Sequence, residues 1–110
     1  MTTETLNGAL VMTPGFNHLD TLSARDFSAE SDPAAAASNL VILDLSLVQF
    51  VDSTGLGAIL NLVRDTLARG ARIAICSAQP SVKVLFRMVQ LAKLVTIFDT
   101  RDLALVWANS

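Results

Sequence analysis

From Leu40 onward the spacing of apolar residues switches between two periods. Leu40–Leu45 is an apolar run holding one acid, Asp44, the pattern of a central strand covered on both faces. In Thr54–Arg69, Leu56, Ile59, Leu60, Val63 and Leu67 recur at helical spacing, with Asn61, Arg64, Asp65 and Arg69 opposite. Gly70 is placed to end that helix at C′. A second strand is expected at Arg72–Cys76. Pro80 and Ser81 then introduce a helix over Val82–Lys93, with Val82, Leu85, Phe86 and Val89 as its core stripe. Leu94–Phe98 reads as a third strand, and Thr100 caps a last helix through Trp107. Helices crossing between successive strands make the pairing parallel.

The N-terminal part obeys a different rule. Asn7-Gly8 separates Thr3–Leu6 from Ala9–Thr13, the strongest short-range hairpin signal. An antiparallel edge hairpin joined to parallel strands makes the sheet mixed. Ser23–Ser31 is expected to be helical with Phe27 inward, and Asp32-Pro33 to break or kink it. Ala34–Ala37 with Ser38-Asn39 continues as one more helical turn or as a loop. The expected fold is α/β: one layer of mixed sheet with four to five strands, about four flanking helices and the N-terminal hairpin at an edge.

Composition narrows the function classes. The chain has 110 residues, the size of one domain spanning 1–110, and 52% are hydrophobic, enough for a substantial core. The formal net charge is −2, and eight scattered Lys and Arg form no basic stripe for nucleic acid. Asp44, Asp52 and Arg64 interrupt the most apolar region, so no run approaches the roughly 20 residues of a membrane span. Met1–Thr5 lacks the basic, then apolar, start of a signal peptide. These features point to a cytoplasmic protein.

The catalytic inventory is thin. His18 is the sole histidine and is expected in a surface or loop role near the end of the second strand. Cys76, the sole cysteine, reads as a small core residue. Asp20 and Asp44 are a nominal carboxylate pair that nothing in the spacing brings together, so turn and strand-end roles are expected. Gly55-Leu56-Gly57 lacks the Lys-Ser/Thr pair of a P-loop and the third glycine of a dinucleotide motif. No metal set, cofactor site or enzymatic constellation emerges.

What stands out is Asp52-Ser53-Thr54-Gly55-Leu56-Gly57, between the first parallel strand and its helix. Ser53 is expected at the N-cap, where unpaired N–H groups and a partial charge of roughly +0.5 favour an anion. Two readings stay open on local chemistry. Ser53 caps the helix, contributing about 1 kcal/mol, or it accepts a phosphoryl group adding about −1.5 to −2 charges. Gly55 and Gly57, lacking side chains, would let another backbone or a nucleotide phosphate approach.

The segment Val41–Gly57, with Asp52-Ser53-Thr54-Gly55 at its end, resembles the signature of STAS domains, the family of anti-sigma factor antagonists. The likeness continues through Ala58–Arg69, Gly70, Arg72–Cys76 and Val82–Leu91 to Val95–Phe98, and reaches back to Gly15 and Leu19-Asp20. It implies a cytoplasmic partner-switching protein with no cofactor. Its serine, Ser53 here, is phosphorylated by an anti-sigma factor serine kinase and dephosphorylated by a PP2C-type phosphatase. The unphosphorylated form sequesters the kinase; phosphorylation releases it. By the same resemblance Asp52, Ser53, Thr54, Gly55, Leu56 and Gly57 form the partner-binding surface. Some members instead act as fixed subunits of lipid-transport ATPases or stress-sensing assemblies. Two departures stand out: a short first strand, expected to reduce the docking edge, and Pro33, where the family continues its first helix. Val84, Met88 and Leu91 make a second apolar stripe, read as further burial or as a patch for a partner or a homodimer.

Overall fold

The computed structural model describes all residues, 1–110. Its elements are β1 (Thr2–Leu6), β2 (Ala9–Thr13), β3 (His18–Leu19), α1 (Ala24–Ala36), β4 (Leu40–Asp44), β5 (Phe50–Val51), α2 (Ser53–Ala68), β6 (Arg72–Cys76), α3 (Pro80–Met88), a 3₁₀ turn (Leu91–Lys93), β7 (Thr96–Phe98) and α4 (Arg101–Ala108). The main sheet runs β1-β2-β4-β6-β7, and β3-β5 form a separate two-stranded ribbon. Only β1–β2 is antiparallel in the main sheet. The mixed five-stranded sheet with four helices agrees with the expectation; the β3-β5 ribbon was not anticipated, because two-residue strands carry no period.

The hairpin forms as its turn residues require. Asn7 and Gly8 both take positive φ, 53° and 79°, the demand of a type I′ turn, and Leu6 then pairs with Ala9. β1 pairs with β2 along its whole length, from Thr2↔Thr13 to Leu6↔Ala9.

Alternation along β4 explains its apolar run. Val41 and Leu43 join the larger core with Phe27, Ile59, Leu62 and Phe86, while Ile42 faces Val11, Ala104 and Ala108 beneath α4. Helices α1, α2 and α3 therefore contribute to one core and α4 to the other.

Several boundaries and faces differ from the sequence reading. Helix α1 runs through Pro33 to Ala36 without a break. The missing N–H at Pro33 frees only the Ala29 carbonyl, and both residues are exposed, so that carbonyl is open to solvent. On α2 the inward side is completed by Leu62 and Thr66, whereas Leu67 is exposed. Thr66 can be buried because its hydroxyl donates to the Leu62 carbonyl at 2.7 Å. Helix α3 stops at Met88, short of Lys93. Gln90 adopts a left-handed conformation (φ 57°, ψ 42°), which turns the chain so that Leu91 becomes core and Val89 is exposed. Strand β7 accordingly begins only at Thr96.

One ionic knot ties the sheet to α4. Arg101, the first residue of α4, donates from Nε to Asp44 Oδ2 at 2.9 Å, from Nη1 to Glu4 and from Nη2 to Thr13 Oγ1 at 3.1 Å. Asp44 is 3% exposed. Removing Arg101 strands a buried carboxylate, so Arg101→Ala is expected to lower stability by about 2–3 kcal/mol in urea denaturation. A loss below 0.5 kcal/mol, the size of an ordinary surface change, would mean that water replaces the guanidinium.

The α1–α2 contact holds the opposite case. Asp32 Oδ1 is buried without a partner, and burial, reinforced by the charge of Asp65, raises the pKa of this carboxyl. A carboxyl whose folded pKa is raised binds protons more tightly when folded, so its ionisation weakens the fold as pH climbs through that value. Asp32→Asn is therefore expected to raise the melting temperature at pH 7, with the gain shrinking as pH falls through the ordinary aspartate range. Equal gains at pH 7 and pH 3 would point to packing instead.

Candidate functional site

The polar motif is positioned by four local decisions of the chain. After β4, Asp44 Oδ1 accepts from the Ser46 N–H at 2.9 Å and turns the backbone out of the sheet. The chain returns as β5, pairing His18↔Phe50 and Leu19↔Val51. The Asp52 N–H donates to the Leu19 carbonyl at 3.2 Å. Helix α2 then starts at Ser53.

The cap is Asp52, not Ser53. Asp52 has extended backbone (φ −98°, ψ −174°), and its Oδ1 accepts from the Gly55 N–H at 2.8 Å. A carboxylate outcompetes a hydroxyl here because it accepts on two oxygens and carries a full charge against the helix dipole. Its second oxygen, Oδ2, takes the Thr21 N–H at 3.3 Å and the Thr21 hydroxyl at 3.4 Å. The Gly55 N–H above all holds this carboxyl below its usual pKa; burial opposes it, and the Thr21 and Thr54 N–H groups and Thr21 hydroxyl assist. These contacts favour the charged carboxylate, which consumes part of the anion-binding capacity of the helix start.

Ser53 consequently stands one residue into the helix, exposed, with no side-chain hydrogen bond to the protein. Thr54 is also exposed, and its hydroxyl lies 3.4 Å from that of Thr21. The two glycines do different work. A Cβ on Gly55 would fall on the Leu19 carbonyl, so the backbone that approaches it is the chain's own. Gly57 has nothing within 4 Å of such an atom, so no part of this chain's own fold requires a glycine there. Leu56 points into the core, so it supports the motif from beneath.

The other candidates separate. His18 lies in β3, exposed, with its ring 5.7 Å from that of Phe50 in an edge arrangement. Cys76 is buried, and burial pushes its thiol up to about 11, which makes it a poor nucleophile. Asp20 shapes the turn before α1, accepting from the Leu22 and Ser23 N–H groups, while Asp44 is committed to Ser46 and Arg101. They form no acid–base pair. No helix is long and apolar enough to cross a membrane.

Around the motif sit residues that sequence spacing did not single out. Thr21 is one; its only sequence signal is its position after Leu19-Asp20. Leu22 is 90% exposed and Phe50 half exposed, on the turn and ribbon that flank Asp52. Helix α3 is fastened to the same loop by the Ser81 hydroxyl, which donates to the Gln49 carbonyl at 2.9 Å. Val84 and Met88 of the second apolar stripe on α3 are exposed, whereas Leu91 is core. An exposed hydroxyl and a fixed carboxylate flanked by apolar side chains suit protein docking better than chemistry on a small substrate.

Comparison with known proteins gives a consistent picture. The model of the STAS domain matches residues 1–104. An anti-sigma F factor antagonist of Paenibacillus polymyxa is 37% identical over 65 residues, covering 59% of this chain and 56% of that protein. The matched stretch thus spans little more than half of that relative's length. Among solved structures, an anti-sigma factor antagonist of Mycobacterium paratuberculosis superposes with a TM-score of 0.88 at 20% identity, covering 99% of this chain and 92% of the other. The phosphorylated form of SpoIIAA, a Bacillus cell fate determinant, gives 0.71 at 21% identity, with 96% of both chains covered. At these identities the structures establish a shared fold.

Proposed function

Because this chain belongs to the STAS domain family, we propose that it is a non-catalytic anti-sigma factor antagonist, switched by phosphorylation of Ser53. Unphosphorylated, it binds an anti-sigma factor serine kinase in the cytoplasm through Asp52, Ser53, Thr54 and the apolar side chains beside them. Phosphorylation releases the kinase, and a PP2C-type phosphatase resets the cycle. Gly55 and Leu56 hold that surface in shape, and Gly57 continues the helix that carries it.

The carrying observation is the placement of the Ser53 hydroxyl. It is exposed and unpartnered at the first turn of α2, next to a carboxylate that has already taken the Gly55 N–H. A phosphate there meets a neighbouring negative charge, and no Lys or Arg makes an ion pair with Asp52. It is therefore displayed to the partner rather than absorbed by the fold. The sequence likeness to the Paenibacillus antagonist supports the reading.

The direct test is incubation with the cognate kinase and ATP, followed by mass spectrometry. One phosphate is expected on Ser53 and none on Ser53→Ala. Absence of label on the wild type, with the kinase active on another substrate, would defeat the proposal for that pair.

A further inference from the structure

Lined by none of the Ser53-motif residues, an open groove of about 590 Å³ runs between α3, the 3₁₀ turn and β7, within the roughly 300–1,000 Å³ of small-molecule sites. We propose that this groove binds a small amphipathic anion, an alkyl chain carrying a carboxylate or phosphate head group.

The helix supplies one wall by simple spacing. Lys83, Phe86 and Arg87 stand at i, i+3 and i+4 on α3 and line the groove together, and Gln90 joins them from the left-handed turn that follows the helix. Phe86 is buried and Ile97 of β7 half-buried, so the floor is apolar. Lys93 closes the far side, carried there by the left-handed turn at Gln90. The methylene stems of the long basic side chains extend the apolar wall while their charges reach its rim.

Charge decides what fits. The chain carries net charge −2, yet three of its eight Lys and Arg line this one groove. Asp99, the sole carboxylate among the lining residues, is committed to Lys83 Nζ at 2.8 Å. Arg87 and Lys93 have no ion pair. A neutral apolar ligand would leave those cations unused, and inorganic phosphate would leave the apolar floor unused. A molecule with an apolar tail and one anionic head uses both. The groove shares no lining residue with the Ser53 motif, so the inference stands independently of the phosphorylation reading.

Amide spectra of the ¹⁵N-labelled protein titrated with octanoate, octyl phosphate, 1-octanol and inorganic phosphate test it. Octanoate and octyl phosphate are expected to bind one saturable site, with shifts centred on Phe86, Arg87, Lys93 and Ile97; the tighter of the two names the head group. Octanol should bind about tenfold more weakly, as loss of a charge-assisted contact implies, and inorganic phosphate should not saturate. The double variant Arg87→Gln/Lys93→Gln, with its spectrum otherwise native, should weaken octanoate binding about tenfold, while Arg64→Gln leaves it unchanged. Equal affinity for octanol and octanoate, no effect of the double variant, or shifts centred on Leu22 and Phe50 would overturn the proposal. So would cosedimentation with phosphatidylglycerol vesicles without any response to the monomeric anions, which would assign the cations to a membrane surface.

Discussion

Ser53→Asp is expected to lower affinity for the cognate anti-sigma factor kinase by about 100-fold, while Ser53→Ala binds like the wild type. The asymmetry follows from the surroundings of the hydroxyl. Ser53 makes no side-chain hydrogen bond within the fold, so removing its oxygen strands no partner. Adding a carboxylate places a second negative charge beside Asp52, whose Oδ1 and Oδ2 are held by Gly55 and Thr21 and cannot swing away. At a docked interface that pair of charges would be desolvated together, at a cost of several kcal/mol. The native protein should keep its thermal stability in both variants, because the site is exposed and Asp52, not Ser53, caps the helix. Calorimetric titration at two ionic strengths separates charge from shape. If charge is the signal, raising salt should narrow the gap between the variants. Unchanged affinity of Ser53→Asp would remove charge as the means of release.

Gly55→Ala should destabilise the protein by about 2–3 kcal/mol, whereas Gly57→Ala, two residues along the same helix, should stabilise it by about 0.5–1 kcal/mol. At Gly55 the new methyl would fall on the Leu19 carbonyl, the oxygen that accepts the Asp52 N–H. Backbone must move to make room, and it is the backbone that registers β3 against β5 and sets Thr21 against Asp52. Kinase binding should therefore fall together with stability. At Gly57 nothing lies within 4 Å of the added atom, and only the entropic gain of replacing a helical glycine remains. Urea denaturation of the two variants measures both signs in one experiment. Similar effects at the two positions would mean that the crossing of β3 over α2 is looser than the structure shows.

These contrasts show where sequence reasoning reaches and where it stops. The strands β4 and β6, the Asn7-Gly8 hairpin and the C′ role of Gly70 were legible because each rests on local chemistry: period, turn conformation, a left-handed cap. The Asp52–Gly57 motif was legible as a segment, and its likeness to STAS domains agreed with the fold that formed. Errors came where solvent exposure or a local backbone conformation overruled a pattern rule. Pro33 was expected to break or kink α1, but the helix continues to Ala36, the carbonyl that Pro33 frees belonging to the exposed Ala29. Val89 fits a helical stripe on paper, yet the left-handed Gln90 ends that helix and gives the core position to Leu91.

By itself the sequence determined the α/β alternation, the mixed sheet and the candidate serine, since periodicity and turn chemistry act over a few residues at a time. Only the tertiary structure decided what surrounds that serine. Thr21 lies 31 residues from Asp52 along the chain, and no spacing rule joins them; the β3-β5 pairing does. That pairing gives the cap to Asp52, leaves Ser53 free at the surface and reserves Gly55 for the crossing of Leu19. The same holds for the basic groove, whose three cations come together only because the turn at Gln90 folds Lys93 back beside α3. Contacts between remote segments carry no local signature, because their free energy is gained only once the core has closed.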